Sequence, residues 1–215
     1  MTGYKFDIFK RCEFTRLTEE FASLPFECGD SDLEDFFHNE AVLYAKACLG
    51  KTYCFIDNSN ETTKVVAFFT VSNDSVKTRF IPKSSTNKVQ RKIPGQKHLR
   101  TYPAVLIGRL GVNKEYQSSD FLIGQQVINY LKTWFIEVDN KTGCRFLVVD
   151  AYNRDRVLRF YERNKFKYLY ADENQERFEQ HIADDMPLNT RHMFLDLLNT
   201  PILEYPFVNH QYSVR

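Results

Sequence analysis

Apolar positions along the chain fall into two rhythms, a period of two and a period near 3.6, and the switches between them outline the elements. Alternation over residues 4–10 (Tyr-Lys-Phe-Asp-Ile-Phe-Lys) predicts a first strand. Residues 15–24 predict a short helix capped by Thr15, with Leu17, Phe21 and Leu24 on one side. Gly29 ends an element, and Asp30 or Ser31 caps the next one. That helix is expected from about Asp32 to Cys48, with Leu33, Phe36, Phe37, Val42, Leu43 and Ala47 inward and Gly50 as its stop. Thr52–Asp57 and Lys64–Val71 read as two strands joined by the turn Asp-Asn-Ser-Asn-Glu, an antiparallel hairpin.

The second half has a different order. Ala104–Val112 is nearly all apolar, as a strand buried on both faces is. Residues 121–138 have helical period, with Ile123, Val127, Leu131 and Trp134 on one stripe, and Asn-Lys-Thr-Gly at 140–143 closes the helix. Cys144–Ala151 is a second apolar strand, so strand, helix and strand form a βαβ unit with its two strands parallel. A further helix is expected over 155–164, with Val157, Leu158 and Tyr161 as its apolar set. Phe166–Tyr170 and Arg191–Leu197 read as closing antiparallel strands. The fold class is therefore α/β: a mixed, mostly antiparallel sheet with one central parallel pair flanked by helices.

Length adds that 215 residues fit one domain, read as 1–198 with a tail at 199–215. Charge changes the picture more. Lys and Arg total 29 against 28 Asp and Glu, a net +1 that argues against general nucleic-acid affinity. The balance is not even along the chain. Residues 76–103 hold eight basic residues (Lys77, Arg79, Lys83, Lys88, Arg91, Lys92, Lys97, Arg100) and no acidic one, which leaves the remainder 21 basic against 28 acidic, or −7. A mostly acidic insertion at 171–188 has six acidic residues against one arginine, Arg177. No apolar run approaches the length of a membrane span, and the N-terminal residues lack the apolar stretch of a secretory signal. Five cysteines without paired spacing read as reduced thiols of a cytoplasmic protein. No C-x-x-C or H-E-x-x-H motif points to a metal, and the five histidines are scattered.

The chemistry-bearing stretch is Arg109-Leu-Gly-Val112, a short gap, then Gln117-Ser-Ser119 ahead of a helix. A strand that enters a helix through small polar residues presents free backbone N–H groups at the positive end of the helix dipole, a setting for a pyrophosphate. Taken alone, the same residues read first as a plain helix cap. The stretch resembles the acetyl-CoA-binding motif of the GNAT superfamily of N-acetyltransferases. Phe160-Tyr-Glu-Arg-Asn-Lys-Phe166 is similar to the second signature of that family, a helix ending Phe-Tyr-Glu-x-x-Gly-Phe. Phe26-Glu-Cys-Gly29 with Leu33-Glu-Asp-Phe36, Gly50-Lys-Thr-Tyr53 and Lys88-Val-Gln-Arg-Lys-Ile-Pro94 are similar to the toxin-like branch of that superfamily.

The resemblance implies a GNAT fold whose parallel strands splay to admit acetyl-CoA as cosubstrate. It implies transfer of the acetyl group to a primary amine, without a metal. It assigns cofactor contacts to Leu110, Gly111, Val112, Gln117, Ser118, Ser119, Gly124 and Asn153, with Arg154 competing for the last place. It makes Tyr161 the donor of a proton to the departing sulfur. The acceptor stays open among a small molecule, a protein and an aminoacyl-tRNA; the toxin-like branch implies the last, with an antitoxin as partner, and a homodimer is compatible with the family.

Two departures stand out. The loop Gln117-Ser-Ser-Asp-Phe-Leu-Ile-Gly124 is two residues longer than the family pattern and has one glycine, and Lys165 replaces the glycine before the terminal Phe. The left-handed terminus is expected to shift to Asn164. A non-catalytic CoA-binding or interaction module with a degraded phosphate loop is the alternative of a different class. No base stands out: Asp74, Asp120 and Asp150 are candidates, each read first as a cap or a surface carboxylate. Arg109 is read as facing the cofactor or pairing with a carboxylate.

Overall fold

The computed structural model of the chain describes residues 4–59, 62–80, 101–137, 140 and 142–199. Most of the basic stretch at 76–103, including Lys88–Pro94, lies outside the described residues, as does the tail from residue 200 onward. Seven strands form one sheet: β1 (Cys12–Arg16), β2 (Lys51–Asp57), β3 (Lys64–Lys77), β4 (Thr101–Val112), β5 (Phe146–Tyr152), β6 (Lys167–Tyr168) and β7 (Thr190–Asp196), in the spatial order β1-β2-β3-β4-β5-β7-β6. Only β4 and β5 run parallel. The central strand–helix–strand unit and the hairpin expected at Thr52–Asp57 and Lys64–Val71 are present, although β3 runs six residues further, to Lys77, and β4 starts at Thr101, so the ends of the expected 76–103 connection pair as strand.

The N-terminal half departs from the prediction. Residues 4–10 do not form a strand. Instead Asp7 accepts a hydrogen bond from the Phe9 N–H and caps a helical turn, α1 (Ile8–Arg11), and the strand begins only at Cys12. The alternation misled because Phe6 and Ile8 are buried for another reason. Their backbone is satisfied by one tertiary side chain, the fully buried Gln126, whose Oε1 accepts from the Ile8 N–H at 3.0 Å while its Nε2 donates to the Phe6 carbonyl at 2.7 Å. The helix expected at 15–24 shrinks to α2 (Glu19–Ala22), capped by Thr18 rather than Thr15, because Arg16 and the residues before it are taken by β1 pairing with β2.

Asp30 does cap the next helix, α3 (Ser31–Asp35), through the Leu33 N–H. The helix then widens into a π turn over Phe36–Glu40, with the Ala41 N–H reaching the Phe36 carbonyl, before α4 (Ala41–Lys46). One extra residue per turn rotates everything after it. Phe36, Phe37 and Ala41 are buried, but Leu43 and Ala47, expected inward, are exposed.

On one face of the sheet lie α5 (Ile123–Trp134) and α6 (Asp155–Arg163), which bury Ile123, Val127, Ile128, Leu131 and Tyr161 against Phe69, Ile107, Val149 and Ala151. The other face carries α2 to α4 over Phe68, where the rings of Phe26, Phe37 and Phe68 meet at 4.8–5.2 Å. The acidic insertion holds one helix, α7 (Glu173–Gln180), capped by Asp172. Of the Phe166–Tyr170 strand only Lys167–Tyr168 pairs, at the outer edge of β7.

Gln126 joins the N-terminal segment to α5 and also serves the Phe121 carbonyl. Gln126→Leu leaves the Ile8 N–H and two carbonyls without that partner in a buried site. We expect a loss of about 2–4 kcal/mol in urea unfolding, since each stranded group costs roughly 1–3 kcal/mol. A change within ~0.5 kcal/mol would show that water replaces the amide.

Candidate active site at the strand fork

The site grows from one backbone irregularity. On β3, Thr70 pairs with Arg109 and Val71 with Ile107, so Gly108 has no partner and forms a bulge in β4. The parallel pairing with β5 ends at the same point: Ala104, Val105, Leu106 and Ile107 pair with Phe146, Leu147, Val148 and Val149, and no pair follows. Beyond it, β4 stays paired to β3 as far as Val112, while its edge toward β5 is open. The strands separate into a fork. A Cβ built on Gly108 would meet nothing within 4 Å, so the space beside the bulge is open. Gly111 has the opposite reason for being glycine, because a Cβ there would lie 2.5 Å from the Phe68 ring and 3.1 Å from Phe26. Leu110 and Val112 contribute backbone along the open edge, although the Val112 carbonyl already accepts from the Gln117 amide at 2.8 Å.

The loop after β4 is braced rather than slack. The Lys114 N–H donates to the Glu27 carbonyl, and Gln117 also donates to the Cys28 carbonyl. Glu34 holds the Cys28 and Gly29 N–H groups, each at 2.8 Å, so the segment before α3 is itself fixed. The Gln117 side chain is thus a strut between two backbone segments. Ser118 accepts from the Asp120 N–H, and its carbonyl accepts from Phe121 and Leu122. Ser119 is exposed. Leu122, with φ of 51°, takes the left-handed turn that a glycine would make without strain, and no side chain caps α5. The first-turn N–H groups of α5 have no intrahelical partner. Gly124 lets Phe160 abut this turn, since a Cβ would lie 3.1 Å from its ring.

Tyr161 enters from α6 on the same face. The left-handed residue at the end of α6 is Lys165, with φ of 73°, and not Asn164 as expected from its tolerance of that conformation. The Lys165 N–H donates to the Glu162 carbonyl and the Phe166 N–H to the Tyr161 carbonyl, which is a Schellman turn. It brings Phe166 onto Tyr161 with ring centroids 5.3 Å apart, and Phe160 lies 5.1 Å from Tyr161 on another side. Asn164 instead turns inward, with its amide donating to the Phe160 carbonyl. Tyr161 is 9% exposed, and its hydroxyl has no hydrogen-bond partner among the described residues. Burial pushes its phenol well above the ordinary tyrosine value, so it stays protonated.

The remaining expected residues are placed as follows. Asn153 donates from its amide to the Leu188 carbonyl and from its backbone to Asn189, so it pins the end of β5 to the strand that follows the insertion. Arg154 lies over the Tyr152 ring at 5.0 Å. Arg109 stacks on Phe36 at 5.1 Å and lies 3.8 Å from Asp32. Asp120 is ion-paired to Lys5, and Asp74 accepts from the neighbouring Ser75 N–H.

Asp150 has a partner that no sequence spacing suggests. It sits in register with His192 of β7, whose Nε2 lies 2.9 Å from its Oδ1. On the other side of the ring, Nδ1 faces Glu176 at 3.3 Å and the Gln180 amide at 2.7 Å. That amide presents oxygen to a protonated ring and N–H to a neutral one. Burial lowers the imidazole pKa, but the hydrogen bonds and charges of Asp150 and Glu176 outweigh it and raise the value to about 9. The fully buried Glu176 is held charged by His192 and Arg191 against its own burial.

No family model matches the chain. Solved structures do match it. A tyrosine-to-phenylalanine variant of KacT superposes with a TM-score of 0.64 at 17% identity, over 87% of this chain and 96% of that one. AtaT complexed with acetyl-methionyl-tRNAfMet gives a TM-score of 0.59 at 20% identity, over 86% and 94% of the two chains. AtaTR bound with AcCoA gives 0.57 at 18% identity, over 88% and 95%. The likeness is one of fold, and the seven-stranded sheet with its forked parallel pair is the GNAT fold.

The His192 network predicts a titration. In the folded protein the ring carries its proton through neutral pH and releases it near pH 9, against 6.5 for an unperturbed histidine. The folded value is the higher one, so the contribution to stability is fully present below pH ~6.5 and is lost as pH rises through about 9. NMR of the labelled ring reads this directly. Asp150→Asn should move the midpoint down, and a ring titrating at or below the unperturbed value would contradict the network.

Proposed function

We propose that the protein transfers the acetyl group of acetyl-CoA to a primary amine. The observation that carries this reading is the fork opened by the Gly108 bulge, with the uncapped start of α5 at one end and the unpartnered Tyr161 phenol on the same face. The residues fit a long, amide-bearing, anionic cosubstrate. The open edge from Gly108 to Val112 supplies backbone groups that pair with amides as a missing strand would. The first-turn N–H groups of α5, with the Ser118 and Ser119 hydroxyls, suit a pyrophosphate even though the loop has few glycines. Acetyl-CoA supplies an activated acyl carbon and a thiolate leaving group. Tyr161 keeps its proton at Oη until sulfur needs it.

A second, finer reading makes aminoacyl-tRNA the acceptor and adds an antitoxin as partner. The basic stretch at 76–103 favours it, and so does the neighbour complexed with acetyl-methionyl-tRNAfMet. The amine of an aminoacyl ester is less basic than that of lysine, so a weak proton acceptor suffices. Against it stands the acidic remainder of the chain at −7, which repels a polyanion outside the patch.

Tyr161→Phe is expected to keep acetyl-CoA affinity in calorimetric titration and to lower kcat about 10²-fold or more, because only the leaving-group proton is lost. Equal rates would make Tyr161 a packing residue. Failure of the unmodified protein to bind acetyl-CoA at millimolar ligand would leave the interaction-module alternative. For the acceptor, filter binding of bulk aminoacyl-tRNA should weaken steeply with salt, with a log–log slope of roughly −0.7 to −0.9 per phosphate neutralised. Arg91→Glu with Lys92→Glu should flatten that slope while leaving acetyl-CoA binding alone. Absence of binding at low salt removes tRNA as acceptor and leaves the acetyltransferase reading in place.

A further inference from the structure

We infer that Asp150 is the residue that takes the proton from the attacking amine, with His192 and Glu176 holding it in position. The inference rests on the acetyl-transfer reading above. The last parallel pair is Ile107 with Val149, so Asp150 is the first residue of β5 at the open fork. Its neighbours Val149 and Ala151 pack in the core that contains Tyr161, and side chains alternate along a strand. Asp150 therefore points to the opposite face. The proton donor for sulfur and the proton acceptor for nitrogen stand on opposite faces of the sheet at one opening, as a reaction with a ligand threaded between them requires.

The Asp150 side chain is 40% exposed. Its Oδ1 is engaged by His192, and its Oδ2 has no partner among the described residues. The other acidic candidates lack this placement. Asp120 is neutralised by Lys5 on the loop before α5, and Asp74 lies on β3, separated from the fork by β4. The face that Asp150 shares is walled by Tyr152, whose hydroxyl donates to Asp32 at 3.2 Å, and by Arg109, which Asp32 also faces. Arg109 is thus occupied away from Asp150.

The support behind Asp150 is deep. Through neutral pH the protonated His192 ring presents its Nε2–H to Asp150 Oδ1 at 2.9 Å, so the carboxylate is oriented there. Glu176 fixes the imidazole from behind. It is anchored in turn by the His192 backbone N–H at 2.5 Å and by Arg191 Nε at 2.6 Å. Glu176 comes from α7, so the acidic insertion at the edge of the sheet reaches the fork through one histidine.

In the reaction, Asp150 accepts one N–H proton of the acceptor ammonium and passes it to water. The nitrogen lone pair forms the N–C bond to the thioester carbonyl carbon. The C–S bond breaks with its electron pair going to sulfur, which takes the Tyr161 proton. The second N–H proton leaves the new amide to water, and Tyr161 regains a proton from water, so one proton is released per turnover.

Thiol release from acetyl-CoA is measured with three acceptors: bulk aminoacyl-tRNA, a simple alkylamine, and water alone. Asp150→Asn should lower kcat about 10²-fold or more with every acceptor the parent uses, while the KM for acetyl-CoA stays unchanged. His192→Phe, which removes the donor, should lower kcat by a smaller factor. His192→Gln, which keeps an N–H at the same reach, should recover most of it; a role in stability alone would show no such rescue and no split between kcat and KM. Asp150→Asn at the parental rate overturns the assignment and leaves acetyl transfer standing. A parent that releases no thiol with any of the three acceptors overturns the acetyl-transfer reading, and this role with it.

Discussion

Everything at the site depends on one unpaired residue. Because Gly108 has no partner on β3, β4 turns there, and the parallel ladder ends after four pairs. Local twist and bending are what a bulge imposes. The consequence reaches both faces. Tyr161 and the start of α5 lie on one face of the sheet, and Asp150, Tyr152 and Arg109 on the other. A glycine at the bulge also leaves the adjacent volume empty.

The surroundings hold this opening at some cost. Leu122 and Lys165 both sit in the left-handed region, which is roughly 1–2 kcal/mol unfavourable for a residue with a Cβ. Each stands beside the site, one at the entry to α5 and one behind Tyr161. What offsets the strain differs. Around Leu122 it is the hydrogen bonds of the Ser118 turn and the Gln117 strut. Around Lys165 it is the paired carbonyls of the Schellman turn and the Phe166–Tyr161 ring contact. The glycine-poor loop ahead of α5 is thus ordered by its own turn bonds and by the Gln117 contacts to the Cys28 and Val112 carbonyls.

The charge distribution has a structural counterpart as well. The acidic insertion is not only solvated surface. One of its carboxylates, Glu176, is completely buried and is compensated by Arg191 and His192. A buried carboxylate without such partners would be driven to its neutral form. The arrangement ties the acidic helix to the central strand β5 through His192 of β7.

The sequence by itself determined the elements whose periods are long and unambiguous: the hairpin over 52–71, the apolar strand ending at Val112, the amphipathic helix after it, and the parallel return strand. From these came the fold class; the fork and Tyr161 came as expectations from the resemblance. What the sequence did not reveal has a common cause. Residues 4–10 alternate like a strand, yet they form a helical turn because Gln126, more than a hundred positions away, satisfies their backbone. Beyond Glu40 the pattern places Val42, Leu43 and Ala47 inward, but only Val42 packs on the core, because a π turn adds a residue that no hydrophobic pattern records. Asn164 was preferred to Lys165 on intrinsic tolerance, but the direction of the chain into Phe166 decided which residue turns left-handed. His192 looked like one of five scattered histidines, and only antiparallel pairing of β7 with β5 sets it beside Asp150. Local rhythm encodes which surface a segment buries. Which distant side chain completes its hydrogen bonds, and where one extra residue shifts the register, are decided only when the strands and helices meet.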